Sequence, residues 1–173
     1  MFTTIVNNTL GILTIIAQIF SILLFVLFFT KKSLPIFLKN NVLFFAFAVA
    51  LIATLGSLTY SEIIGYEPCK LCWFQRIFMY PQVILLGMAL VKKDYKIASY
   101  SIFLSIIGAF IAGYHYLLQI GVAPELPCSA VGYSVSCSQR FVMQFGYISL
   151  PMMAFSAFIL MALLLAILLM QKS

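Results

Sequence analysis

Residues Leu10–Phe29 read LGILTIIAQIFSILLFVLFF, a run of 20 residues without a charge. An α-helix rises about 1.5 Å per residue, so about 20 apolar residues cross the roughly 30 Å hydrocarbon core of a bilayer. Lys31 and Lys32 follow directly, where cations mark the polar edge of a membrane. The run is too long for the apolar part of a secretory leader. No basic side chain precedes it and no small-residue cleavage pattern follows it, so it is expected to remain as a transmembrane helix.

Four further apolar runs lie downstream, at Val42–Tyr60, Trp73–Val91, Ile97–Ile120 and Ile148–Met170. The chain is 64% hydrophobic and only 8% charged, which excludes a soluble domain of this size. Backbone groups in lipid must be satisfied within the segment, so the runs are expected as helices. The fold class is therefore all-α, a polytopic membrane helix bundle. A single integral membrane domain is expected over residues 1–173, with redox-bearing loops at 61–72 and 121–147.

The net charge of +6 sits in short loops, where it reads as a topology signal and not as a nucleic-acid surface. With five crossings, Lys31, Lys32, Lys39, Lys92, Lys93, Lys96 and Lys172 fall on one side. Lys70, Arg76 and Arg140 fall on the other. Seven against three places the lysine-rich loops in the cytoplasm, with the N-terminus outside and the C-terminus inside. All four cysteines then face the exterior of the cell membrane, where disulfides persist.

Cys69 and Cys72 form a C-x-x-C in CKLCWFQR, at the start of the third span. Cys128 and Cys137 form a wider pair in the long fourth loop. Four such cysteines permit two structural disulfides, a zinc site or an exchanging relay. Zinc favours two close-spaced pairs. Here the second pair is C-x8-C and the lone histidine lies inside a span, so no metal is expected. The relay has more in its favour. A helix N-terminus presents unpaired N–H groups and partial positive charge, which stabilise a thiolate at Cys72. The loop around Cys128 and Cys137 is long, with small polar residues between them, as exchange between a mobile and a fixed pair requires.

Arg76 follows Cys72 by one turn, on the same helix face. A permanent cation there calls for an anionic or polarised partner unless it reaches the interface. His115 and Gln119 share a face of the fourth span, at the same depth. Ionisable residues inside a span mark functional sites, although polar side chains also hold bundles together. Arg76, His115 and Gln119 together suggest a pocket for the polar head of an apolar molecule, with Phe74, Tyr80 and Tyr116 as aromatic walls.

C-x-L-C-x-x-Q-R at Cys69–Arg76, H-x-x-x-Q at His115–Gln119, the second cysteine pair in the next loop and Gly146-Tyr147-Ile148-Ser149-Leu150-Pro151 follow in this order. With them, residues 42–170 resemble the bacterial disulfide-bond formation protein B family, quinone-dependent membrane oxidases that reoxidise extracytoplasmic thiol oxidoreductases. The C-x8-C spacing resembles the compact Gram-positive-type relatives. The family core has four spans, so Leu10–Phe29 is an extra N-terminal helix.

The resemblance implies that a thioredoxin-like partner attacks a Cys128–Cys137 disulfide at Cys128. Cys137 then attacks Cys69 of a Cys69–Cys72 disulfide, and Cys72 faces a quinone, ubiquinone or menaquinone, drawn from the respiratory pool. Arg76, His115 and Gln119 are implied as quinone-binding residues. Two other readings compete. One is a membrane scaffold with structural disulfides. The other is a vitamin K epoxide reductase-like enzyme, in which the loop cysteines precede the C-x-x-C; here they follow it.

Overall fold

A computed structural model of the chain describes residues 1–30, 36–124 and 135–172. It contains five long helices: α1 (Phe2–Thr30), α2 (Ile36–Leu58), α3 (Lys70–Lys92), α4 (Ile97–Gln119) and α5 (Leu150–Lys172). Each is long and apolar enough to cross a membrane, and the protein is an integral, multi-pass helix bundle. Among the described residues the only β pairing is an isolated bridge between Gln144 and Ile148. Cys128 lies outside the described residues.

α1, α2 and α3 start earlier than their apolar runs, α4 starts with its run at Ile97 and α5 starts two residues late, at Leu150. α1 takes in residues 2–9, and α3 begins at Lys70 because Cys69 caps it. α2 runs into a π-helical turn over Thr59–Ile63, closed by the Ile64 N–H on the Thr59 carbonyl. Such wide turns tend to sit at functional sites. Here the turn carries Tyr60, which is buried.

α2, α3, α4 and α5 form a ring, each packed on the next, with α5 closing on α2. α1 stands outside the ring, its backbone along α5. One cause of this order is legible on α4. Its buried face carries Ala98, Ser101, Ser105, Gly108, Ala112, His115 and Gln119, spaced by alternating threes and fours. Small residues at that spacing let neighbouring helices approach closely, because lipid supplies no hydrophobic force to join them. Ser105 donates to Gln82 Oε1 of α3 at 3.0 Å, a polar link across the same seam. The stripe also aims its last two members, His115 and Gln119, into the bundle.

Gly108 is the tightest point of that stripe. A Cβ there would overlap the ring of Phe158 on α5, and Phe158 is completely buried. Gly108→Ala is expected to destabilise the bundle by about 1–3 kcal/mol, the usual cost of overpacking. Thermal unfolding in detergent should show a lower midpoint, and Phe158→Leu in the same background should restore part of it.

Three contacts fix α1. The Tyr147 hydroxyl donates to Gln18 Oε1 at 2.8 Å, and Gln18 Nε2 donates to Ser156 Oγ of α5 at 3.0 Å. The Tyr60 hydroxyl donates to Asn7 Oδ1 at 2.9 Å. Gly11 faces the ring of Phe145, which a side chain at position 11 would crowd. Phe145 and Gly146 both have positive φ, 52° and 82°. The Tyr147 N–H closes on the Gln144 carbonyl across them, the pattern of a type I′ turn.

Candidate active site

The C-x-x-C is built as a helix cap. Cys69 has extended backbone, and its sulfur accepts the N–H of Cys72 at 3.3 Å. This is the N-cap bond usually made by an oxygen, from the cap residue to the third helical position. It leaves both sulfurs at the positive end of α3. The Cys69 thiol donates to Cys72 Sγ at 3.0 Å.

The two sulfurs share one neighbour cluster but not the cavity. Cys69 is buried in a small cluster with Cys137 and Leu118, against which Leu71, Cys72 and Tyr114 pack. Cys72 lies on the wall of a cavity of about 420 Å³. The cavity is framed by α1, α2, α3 and α5. Its polar lining is confined to Cys72, Gln75, Arg76, Ser57 and Tyr80 and to a few residues at its rim and on α1, while the rest is mainly apolar. Tyr66 stacks between Tyr60 and Phe141, with ring centroids 5.9 and 4.9 Å away. That stack joins the loop before Cys69 to the loop after Cys137, and all three rings line the same cavity.

Arg76 is held by Ser57. Its Nε donates to Ser57 Oγ at 3.1 Å and its Nη2 to the Ser57 carbonyl at 3.2 Å. The Tyr80 hydroxyl donates to the same Ser57 Oγ at 3.1 Å. The rings of Trp73 and Tyr80 lie 5.3 and 5.9 Å from the guanidinium carbon, close enough for cation–π attraction. Among the described residues no carboxylate pairs with Arg76. Glu67 lines the same cavity but makes no ion pair with Arg76, and a cation so placed beside a mainly apolar space attracts an anionic or polarised ligand.

His115 and Gln119 do not line this cavity. Both belong to α4, which contributes nothing to its walls. His115 Nε2 lies 3.0 Å from the carbonyl of Cys137 and 3.7 Å from Cys69 Sγ. A carbonyl only accepts, so Nε2 carries the hydrogen and Nδ1 accepts from Gln75 Nε2 at 2.9 Å. Gln119 Nε2 donates to the Gln139 carbonyl at 3.0 Å. Arg140 Nε in turn donates at 2.8 Å to the carbonyl of Gln119, at the end of α4, and Arg140 Nη2 donates to it as well. These two α4 residues therefore grip the loop that carries Cys137. The resemblance brings Arg76, His115 and Gln119 to one ligand; the structure sets them on two sides of the Cys69–Cys72 pair, with Gln75 between.

Gln75 and Ser57 escape a reading for titratable groups. Gln75 is buried in a span and reaches both the cavity and His115. Its sequence signals are an amide inside an apolar run and its place as the Q of C-x-L-C-x-x-Q-R. Ser57 carries no such signal. Cys69, Cys72 and His115 place their ligand atoms within 4.8 Å of one another.

The reduced Cys69 thiol is pushed up to about 12 by its hydrogen bond to Cys72 and then by burial, with His115 pulling the other way. A raised thiol pKa means that the proton stays on through neutral pH and leaves only in strong alkali. Alkylation of the reduced protein followed by peptide mapping should therefore leave Cys69 unmodified at about pH 7–9, where ordinary thiols react. Removing the largest cause in Cys72→Ala should move Cys69 labelling to lower pH. An unmoved profile would show that the bond to Cys72 has no such effect.

The comparisons with known proteins point the same way. Residues 39–168 match the family model described as disulfide bond formation protein DsbB. The chain is 43% identical over 140 residues to disulfide bond formation protein C of Bacillus subtilis strain 168, covering 79% of this chain and 99% of that one. It is 48% identical over 124 residues to the probable disulfide formation protein C 1 of Bacillus anthracis, covering 72% and 88%. No solved structure matches the chain significantly. A helical membrane bundle whose C-x-x-C caps a transmembrane helix, matched over most of its length by these relatives, belongs to the disulfide bond formation protein DsbB family.

Proposed function

We propose that the protein is a membrane thiol oxidase that reoxidises an extracytoplasmic thioredoxin-like thiol oxidoreductase and passes two electrons to a membrane quinone, supporting disulfide formation in exported proteins. One observation carries this reading: the C-x-x-C straddles a wall, with Cys69 beside Cys137 and Cys72 on the cavity. Thiol exchange enters on one side of the pair and electrons leave on the other. The lysine asymmetry supports the orientation, with both cysteine pairs outside and the C-terminus in the cytoplasm.

The residues that line the cavity fit a quinone. Arg76 and the Tyr80 hydroxyl would hold its ring oxygens beside Cys72, and the apolar walls would take its tail. A bound quinone supplies a two-electron, two-proton acceptor, at whose expense the Cys69–Cys72 bond re-forms and quinol leaves. Ubiquinone and menaquinone both satisfy this chemistry.

The chain's own steps are disulfide exchanges. A partner thiolate attacks Cys128 of the Cys128–Cys137 disulfide and releases Cys137 as a thiolate. Cys137 attacks Cys69, the Cys69–Cys72 bond breaks, and Cys72 leaves with the electron pair on the cavity side. The partner's second thiol completes its own disulfide and frees Cys128, which recaptures Cys137 and releases Cys69. Arg76 stabilises the Cys72 thiolate. The His115 Nε2–H holds the Cys137 backbone beside Cys69 and lies toward the Cys69 sulfur when that sulfur leaves. Gln119 and Arg140 keep the loop in register. His115 acts on the quinone side through Gln75, as a positioning residue.

The test is turnover. Purified protein, a reduced thioredoxin-like C-x-x-C protein and a quinone under inert gas should give one quinol for every two partner thiols lost. Partner thiols that persist, with disulfides that resist reductant and ignore quinone, would favour the scaffold reading.

A further inference from the structure

α1 precedes the region matched by the family model, yet it forms part of the cavity wall. Leu10, Leu13, Ile16, Ala17 and Phe20 of α1 line the cavity that also holds Cys72 and Arg76. These positions recur at helical spacing on one face. Without α1 this side of the α2–α5 ring would open to lipid.

The cavity has a direction. Cys72, Arg76, Tyr80 and Ser57 lie toward its mouth, near the start of α3 and the end of α2. From there the apolar lining continues along α5 from Leu150 to Leu164 and along α2 back to Phe45. Fourteen residue steps of α5 correspond to about 21 Å at about 1.5 Å per residue. A chamber of that length with its cation and thiol at one end fits a molecule with a polar redox head and a long apolar chain. It is far longer than a quinone ring requires.

α1 is also firmly positioned. Gln18 bonds both Tyr147 and Ser156, Asn7 accepts from Tyr60, and Gly11 seats Phe145. Tyr60 itself stands at the mouth. The helix thus keeps its backbone on α5 and meets α2 where Leu10 lies against Gly56, and the cavity lies between the two helices and α5.

We propose that α1 is the tail wall of the quinone site: the isoprenoid chain lies between α1, α2 and α5, and this additional helix sets which tails the protein accepts. The proposal rests on the quinone reading above and adds a binding element to it. Ring recognition stays with Arg76 and Tyr80, and tail recognition falls to Leu13, Ala17 and Phe20.

Trp73, the single tryptophan of the chain, sits 5.3 Å from the Arg76 guanidinium and reports head binding by fluorescence quenching, without turnover. Dissociation constants are measured for an isoprenoid-tailed quinone and for the same ring without a tail. Ala17→Phe, which fills the tail wall, should weaken the tailed quinone at least tenfold and leave the tailless one within twofold. Both ligands within twofold, or both weakened alike, would overturn the proposal. A second measurement needs no variant. A quinone with a photoreactive group at the tail end should label residues 10–20 of the unmodified protein. Label absent from α1 overturns the assignment. So does label from a photoreactive phospholipid there that tailed quinone fails to displace, since the chamber would then hold a lipid chain. Unmodified protein that binds neither quinone defeats the quinone reading itself. Unmodified protein that binds and reduces both, with α1 unlabelled and Ala17→Phe silent, defeats only the role of α1.

Discussion

Cys72→Ser is expected to abolish quinone reduction, with turnover below roughly a thousandth of the unsubstituted rate, because a hydroxyl neither forms the disulfide nor leaves as a stable anion. The substitution is small, and it retains the backbone N–H that caps onto Cys69, so the helix start should survive. What is lost is the one thiol among the residues lining the cavity. With no Cys69–Cys72 bond for Cys137 to attack, the variant can spend only its Cys128–Cys137 disulfide. Mass spectrometry after reaction with excess reduced partner should find no more than one partner disulfide formed per protein, with Cys69 still a thiol. Normal turnover by Cys72→Ser would show that Cys72 is not the residue facing the acceptor.

Arg76→Leu should lower kcat/KM for quinone by roughly a hundredfold, on the scale of removing one preorganised donor from a developing anion. Arg76→Lys should recover only part of this. It keeps the charge, but a single ammonium cannot reproduce the fork that meets Ser57 Oγ and the Ser57 carbonyl together. The exchange half of the reaction provides the control. Oxidation of one equivalent of reduced partner by the Cys128–Cys137 disulfide, without quinone, should be within about twofold of the unsubstituted rate, since that exchange does not call on the Cys72 thiolate that Arg76 stabilises. Equal loss in both halves would mean that Arg76 supports the fold around α3 and not the acceptor.

Much of this organisation is legible in the sequence, for reasons that differ by residue. Uninterrupted apolar length is a one-dimensional signal, so the five helices can be read from runs such as Leu10–Phe29. Cys72 and Arg76 share a helix face by their spacing alone, and the structure has both on the cavity. The depth of His115 and Gln119 follows from the crossing pattern. Their direction does not, because it depends on which neighbours α4 meets. The small-residue stripe from Ala98 to Ala112 turns α4 so that both side chains meet the Cys137 loop, away from the cavity. Ser57 becomes visible only once α2 lies against α3. The place of α1 is equally a matter of packing: nothing in its composition says that it lies along α5, or that Gly11 answers to Phe145 across more than a hundred residues of chain.

The central claim is that Cys69 and Cys72 are the pair that gives electrons to quinone. It can be isolated in a Cys128→Ser/Cys137→Ser variant, which retains only that pair. The variant is reduced in detergent, freed of reductant under inert gas and mixed with a tailed quinone, while quinol absorbance and alkylatable thiols are followed together. The account predicts the loss of both thiols and the appearance of one quinol per protein. Thiols that stay alkylatable while the quinone remains oxidised would contradict it.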